Sequence, residues 1–424
     1  MRKRLLLLLY SGGSAPDLIY PSLSKLDTDI VTIYIRPENK ALNDLYNNWI
    51  GKYGDAIEVE SFQEMVTETL TYHEKKPIHG VITFGEMVLD TAAQIAEKLN
   101  LPYNSRRSIE LSQNKYLQRK VLHENGVPVP KFCLIKGEND LGKASREVGF
   151  PAVLKPVYGA GGYHVTSVES FEELVEVYSD FNHTYKNYFV ENGNPDFLLE
   201  ERMAGVKWHK EEYYGDYLSV ESVIYQGEIH HLCVTDRTEI LEPFRETGYM
   251  LPSTLGDDSK EKLHQIATAA IHALGLNNGV THIEIKLTES GPKIIEVNAR
   301  PGGGIPFRLR LADPDYDLFY EMGRLALGEK PKTKPNFKRS AGSFLLHGPN
   351  YNIRIAELSN IQKAREIPGI ELLIMVKEVG TILDPKNSLM DMLGFAYVSG
   401  ETHNDLIGIR DQLVDTLQVK YEPV

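Results

Sequence analysis

Along the N-terminal quarter of the chain, short apolar runs alternate with stretches of helical period. Leu5–Tyr10, Ile30–Ile35 and Gly80–Phe84 are strand-length runs bounded by polar and turn-forming residues, while Leu89–Leu99 repeats its apolar positions every three to four residues. That alternation predicts an α/β unit with a parallel sheet. A helix is expected over about 109–124, ending before Asn125-Gly126, and Val127-Pro128-Val129-Pro130 forces an extended exit. From Phe132 to about Arg202 the pattern predicts a second, smaller α/β unit. Leu218–Tyr225, Ile229–Val234 and Thr281–Leu287 predict a third, largely antiparallel sheet, with a helix over Lys260–Leu274. Beyond about Ala341 come short strands (Gly342–His347, Ile370–Met375, Gly394–Ser399) and a terminal helix, Asn404–Leu417. The class is α/β, with α+β character in parts.

A length of 424 residues suits two or three domains rather than one core. The net charge of −13 leaves no basic stripe for a phosphate backbone, so nucleic acid is not an expected partner. Cys133 and Cys233 stand far apart without zinc or CxxC spacing, which fits a reducing compartment. The opening MRKRLLLLLYSGG imitates a signal peptide, but its apolar run is short and a glycine turn follows it. A buried parallel strand explains it better. No run reaches the ~18 apolar residues that a membrane helix requires. A cytoplasmic protein with no membrane partner is the expectation. Ser11-Gly12-Gly13-Ser14 follows the first strand but lacks the G-x-G-x-x-G spacing, so a dinucleotide site gains little from it.

Chemistry concentrates further along. In PAVLKPVYGAGGYHV a strand delivers Lys155 to a loop containing Gly159, Gly161 and Gly162. Glycines let backbone N–H groups approach an anion and the lysine adds a point charge. The lysine precedes the glycines, which excludes a P-loop and leaves a flap over phosphates. FLLEERMAG ends an apolar strand in Glu200-Glu201, where backbone groups can meet a base edge. THIEIK puts His282, Glu284 and Lys286 on one strand face, and KIIEVNARPGGG does the same for Glu296, Asn298 and Arg300. Two carboxylates and an amide on neighbouring strands are the oxygen donors of a Mg²⁺ shared with substrate phosphates.

The order of these elements, from Lys115 through Lys155 and its glycines, Glu200-Glu201 and Glu284 to Glu296-x-Asn298-x-Arg300, resembles the ATP-grasp superfamily. ITFGEMVLDTAAQIAEKLNLPYNS looks like the end of that superfamily's first domain. DYLSVESVIYQGEIH, VTDRT and GVTHIEIKLTESGPKIIEVNAR are similar to L-amino acid ligases, which condense unprotected amino acids into dipeptides. The resemblance implies an ATP-grasp fold: an N-terminal pre-ATP-grasp domain over 1–105 and an ATP-grasp domain over 106–335. Its lid subdomain would span 131–203, and a C-terminal subdomain 336–424 would pack on the core.

It also implies an ATP-dependent ligase that joins amino acids through an acyl phosphate. Its alternatives are loading of an amino acid onto a carrier protein, or carboxylation. Carried over by position, Lys115, Lys155, Gly159, Gly161, Gly162 and Arg237 meet ATP phosphates. Glu200, Glu201, Arg202 and Met203 meet adenine, mainly through backbone. Glu284, Glu296 and Asn298 hold Mg²⁺, for which Mn²⁺ can substitute. Arg300 takes the substrate carboxylate and acyl phosphate, Glu221 the amino group, and Gly303 and Gly304 leave room for the substrate. Arg300, Lys155 and Glu221 are the implied catalytic set. The partners are small-molecule amino acids, and a homodimer is compatible with the reading. The sequence departs from the family at Asn114, where Asp is usual before the first lysine. It departs again at Tyr217, in place of a ribose-binding glutamate, which leaves that role to Asp216 or another residue, and at Thr235, in place of a histidine.

Overall fold

The structure is a computed structural model describing residues 2–159, 161–184 and 195–424. Ala160, within the glycine loop singled out above, lies outside the described residues.

The leucine run near the N-terminus is the strand Lys3–Leu9, inside a parallel sheet ordered Ala56–Val59, Thr28–Ile35, Lys3–Leu9, Gly80–Thr83. Leu5 and Leu7 pack with Ile19, Leu23 and Phe319, while Leu6 and Leu8 point the other way onto Val66, Val88 and Ala92. A strand covered on both faces needs no polar alternation, which is why its sequence imitates a leader. Phe319 belongs to the helix Leu318–Ala326, so a later segment of the chain closes one face of this first sheet. The helix Leu89–Leu99 has the bounds the pattern predicts.

The helix expected over 109–124 is two helices, Arg106–Gln113 and Lys115–Glu124. Asn114 breaks it, in an extended conformation (φ −87°, ψ 103°), and its side chain accepts the Leu117 N–H as an N-cap. Asparagine caps as well as aspartate does, so the departure at this position keeps the cap. The break places Lys115 at the head of a helix, where its own N–H donates to the Val157 carbonyl at 3.0 Å.

The smaller unit is an antiparallel sheet ordered Phe132–Ile135, Phe197–Glu201, Ala152–Pro156, Thr166–Val168, backed by the helices Leu141–Val148 and Phe171–Thr184. The largest sheet has eight antiparallel strands. Gly291–Asn298, Gly279–Thr288, Tyr214–Tyr225, Glu228–Thr238 and Gly248–Leu251 continue into Ser340–Leu346, Gly394–Gly400 and Ile370–Met375. The tail strands thus extend the sheet that carries the acidic residues. A three-stranded sheet of Ile382–Leu383, Ile353–Ser359 and Gln418–Pro423 was not expected from the pattern. Its segments are short and half exposed, so their apolar signal is weak. No helix of the described residues is long and apolar enough to cross a membrane.

The strand face proposed for Glu296, Asn298 and Arg300 is shorter than expected. The strand ends at Asn298, and Arg300 lies past it, before Pro301. Replacing Asn114 by Ala removes the cap at the head of the Lys115 helix. It should cost about 1 kcal/mol in urea unfolding, while Asn114→Asp should cost little. Equal losses for both variants would show that the side chain does not act as a cap.

Candidate active site

The strands Gly279–Thr288 and Gly291–Asn298 pair so that Glu284 stands opposite Glu296 and His282 opposite Asn298. Ile283, Ile285 and Val297 alternate with them and are fully buried in the core beneath. The register slips after Glu284, where Ile285 faces Ile294 and Ile295 has no opposite number. The freed Ile295 carbonyl accepts from Arg119.

Each carboxylate is met by cations. Lys115 Nζ lies 2.5 Å from Glu296 Oε1 and donates to the Gly159 carbonyl at 2.9 Å. Glu284 Oε1 takes Arg237 Nη2 at 3.1 Å and His282 Nε2 at 3.3 Å. Burial works to raise the Glu284 pKa, but the His282 hydrogen bond and the Arg237 charge prevail and hold it at about 2. Burial likewise works to lower the His282 pKa. The Glu221 carboxylate, 2.8 Å from Nδ1, outweighs it and lifts His282 to about 9, so this buried ring is an imidazolium at neutral pH. Glu221 is completely buried. Burial alone would raise its pKa, yet His282 and the Ser219 hydroxyl keep it below the usual carboxylate range. The Thr235 hydroxyl donates to the same carboxylate at 3.5 Å.

Arg237 also pairs with Glu246, and its guanidinium lies 4.3 Å from the centre of the Tyr249 ring. Tyr249 in turn donates to Glu246 at 2.5 Å. Tyr217 is buried beside the same guanidinium, and Asp216 pairs with Lys286 at 2.6 Å.

A second cluster sits where the small sheet meets the large one. Glu200 lies between Lys155 Nζ and Arg119 Nε, each at 2.6 Å, and all three are buried. Burial lowers the Lys155 pKa, and Glu200 only partly restores it. Burial pushes Glu200 upward, but Arg119 and Lys155 together bring it below the ordinary value. The Glu200 side chain is therefore an internal counterion. Beyond it, the Glu201 N–H donates to Lys131 and the Arg202 N–H to Pro151, at 2.9 and 3.1 Å. The Arg202 side chain turns away to Ser167 and Glu169. Half-buried Met203 lies just past the strand end.

In the glycine loop, Gly161 and Gly162 both have left-handed φ, 68° and 71°, which favours glycine there. A Cβ on Gly162 would fall 2.7 Å from Ser388 Oγ, so the loop lies against the tail.

Arg300 is fixed by a residue of the first domain. Its Nε lies 2.6 Å from Glu86 Oε2, in the short turn after the strand Gly80–Thr83, and its Nη2 donates to Asn298 Oδ1 at 3.4 Å. Of the glycines that follow, Gly302 packs against the His282 ring. Gly303 has open space where a side chain would start. Gly304 has φ 70°, and a Cβ there would collide with the Tyr397 hydroxyl. The open space therefore lies at Gly303, while Gly304 makes the turn into the helix Ile305–Ala312.

Lys115, Glu296, Glu284, Asn298, Arg300, Arg237 and Glu221 thus form one set of linked neighbours. Lys155 and Glu200 adjoin it through Arg119, and Arg202 stands apart. Sequence reasoning missed Glu86, Arg119 and Glu246, and gave His282 a face but no role. Glu86 carried a readable signal, a carboxylate just beyond the C-terminal end of a parallel strand.

The donors at Glu284, Glu296 and Asn298 are all hard oxygens, and the Asn298 amide turns its oxygen to the Arg300 side. Among the described residues no group of three or more His, Cys, Asp or Glu could hold a metal by itself. Such a set fits a Mg²⁺ that takes its other ligands from phosphate and water.

A family model for the ATP-grasp domain matches residues 148–307, and one for the ATP-grasp N-terminal domain matches residues 53–103. The chain thus carries an ATP-grasp domain preceded by an ATP-grasp N-terminal domain. It is similar to the alanine–anticapsin ligase of Bacillus subtilis (strain 168), 27% identical over 331 residues that span 71% of this chain and 70% of that protein. Its fold is similar to that of an L-amino acid ligase from Bacillus licheniformis, with a TM-score of 0.81 and 22% identity over 99% of both chains. An N5-carboxyaminoimidazole synthetase from Staphylococcus aureus complexed with ADP shares the fold at a TM-score of 0.71. It is 14% identical over 97% of this chain and 98% of that one.

Glu200→Ala should strand two buried cations and cost about 3–5 kcal/mol in urea unfolding, because an uncompensated buried charge is far worse than an absent pair. A loss below about 1 kcal/mol would mean that Lys155 and Arg119 find other acceptors.

Proposed function

We propose that this ATP-dependent carbon–nitrogen ligase joins two amino acids through an acyl phosphate, releasing ADP and phosphate. The observation that carries the reading is the register pair Glu284–Glu296, ringed by Lys115, Arg237 and Arg300. It collects carboxylates and cations where a triphosphate and a carboxylate would have to meet.

Lys115, Lys155 and the N–H groups around Gly159, Gly161 and Gly162 hold the phosphates. The backbone from Glu200 to Met203 receives the adenine, chiefly past the strand end, since the Glu201 and Arg202 N–H groups are already engaged. Mg²⁺ held by Glu284, Glu296 and Asn298 would neutralise phosphate charge. Arg300, braced by Glu86, orients the donor's carboxylate, whose oxygen attacks the γ-phosphorus as the bond to ADP breaks. The ammonium of the second amino acid gives up one proton to phosphate or solvent, the free amine attacks the acyl carbon, phosphate leaves, and the new amide nitrogen sheds its remaining extra proton the same way. Glu221 supplies a negative charge that an incoming ammonium shares with His282. The glycine loop, resting on the tail at Ser388, screens the intermediate from water. Gly303 leaves the donor side chain room beyond that of Ala or Gly.

Incubation with ATP, Mg²⁺ and pooled L-amino acids should yield ADP and phosphate in equal amounts, with product masses equal to amino acid pairs minus water. AMP as the stoichiometric product would contradict the acyl-phosphate route. Phosphate release without dipeptide masses would point to a carrier or carboxylase acceptor.

A further inference from the structure

Among the described residues the three most buried arginine side chains are Arg119, Arg237 and Arg308, each 2% exposed or less. Two have their anions within the protein, since Arg119 pairs with Glu200, and Arg237 with Glu246 and Glu284. Arg308 has none. Among the described residues its guanidinium donates only to Ser343 Oγ, through Nη1 at 2.7 Å, and rests 4.6 Å from the centre of the Tyr249 ring. Its Nε is buried without a hydrogen-bond partner. A buried guanidinium loses its hydration and needs either an anion or several acceptors in return. One hydroxyl and one ring face do not supply that. The absence of an ion pair at this arginine, when its two equals have theirs, marks a place for an anion that the chain does not provide.

The position says which anion. Arg308 is one helical turn beyond Gly304, to whose carbonyl its N–H donates at 3.0 Å, and its side chain feels Tyr397, the residue that packs against Gly304. The same Tyr249 ring also carries Arg237, 4.3 Å from its centre, and Arg237 pairs with Glu284. The phosphate end of the site already has Lys115, Lys155 and Arg300. In a coupling of two amino acids one further anion must be held and must not react, namely the carboxylate of the amine substrate. The edge of a guanidinium presents paired N–H groups in the geometry a carboxylate accepts.

We infer that Arg308, backed by Ser343 and stacked on Tyr249, binds the free carboxylate of the amine-donating substrate. This rests on the ligase reading above and adds to it the residue that selects an amine substrate by its carboxylate. Burial holds the Arg308 pKa below its ordinary value, the direction expected of a cation without its anion, and Glu221 is close enough to be felt but forms no ion pair with it.

The test separates the two claims. Pooled L-amino acids with ATP, Mg²⁺ and hydroxylamine as nucleophile report acyl transfer alone, and ADP-coupled hydroxamate must form if the ligase reading holds. With the donor so identified, L-amino acid acceptors are compared with their carboxamides. The wild type should favour the acids by at least tenfold in apparent KM. Arg308→Gln should raise KM for the acids at least tenfold more than it affects the carboxamides or hydroxylamine, and Arg308→Lys should restore part of the preference. Hydroxamate formation together with equal use of acids and carboxamides by the wild type would overturn the inference, whatever the variants do. So would equal losses for acids, carboxamides and hydroxylamine in Arg308→Lys, the variant that keeps the charge if Arg308→Gln does not fold. A requirement for an acidic donor, lost in Arg308→Gln, would place the carboxylate on the donor's side chain and likewise overturn it.

Discussion

Two glutamates set directly opposite each other on neighbouring strands form an arrangement that the chain must continually compensate. Directly opposed residues place like charges ~5 Å apart, a repulsion of about 3 kcal/mol at an effective dielectric of ~20. Glu284 and Glu296 are held there because Ile283 and Val297, paired beside them and fully buried, fix the register of their strands on that side. The compensation explains much of the surrounding structure. Arg237 and His282 converge on Glu284, and Lys115 on Glu296. His282 keeps its charge inside the protein because Glu221 is buried with it, and Arg237 keeps its own through Glu246. A floor built this way is a place where divalent and phosphate charge can enter with little rearrangement.

The cations come from separate parts of the fold, which ties the site to domain packing. Lys115 heads a helix that exists as a separate unit because Asn114 interrupts and caps it. Lys155 arrives on the small sheet and shares Glu200 with Arg119, which also donates to the carbonyl exposed by the register slip beside Glu296. Arg300 leaves the large sheet and is caught by Glu86 of the first domain. The tail contributes Ser388 against the glycine loop and Tyr397 against Gly304. Closing this site is therefore equivalent to assembling the chain.

Much of this was legible in the sequence, for physical reasons. The Leu5–Leu8 run, the Leu89–Leu99 helix and the alternation in THIEIK and KIIEVN are periodic signals, and periodicity survives in a single chain. The Glu284 and Glu296 pair followed from two alternations on adjacent strands. What was lost lay in single residues that override period. Asn114 breaks a helix whose pattern runs through it, Pro301 follows the point where a strand ends two residues early, and a one-residue slip at Ile295 exposes a carbonyl. Counterions were invisible for a different reason. Glu86 is 214 residues from Arg300, and Glu200 is 81 from Arg119, so neither pairing has a local trace. Arg308 reads as an ordinary amphipathic-helix arginine until its burial is seen.

The central claim is that the opposed glutamates serve a divalent cation, and the Mg²⁺ dependence of phosphate release in Glu296→Gln and Glu284→Gln tests it most directly. Each substitution keeps the side-chain shape and removes one charge from the floor. The account predicts that each variant stays folded, needs at least tenfold more Mg²⁺ for half-maximal rate, and turns over more slowly by orders of magnitude. Near-wild-type phosphate release at the wild-type Mg²⁺ requirement in both variants would contradict it.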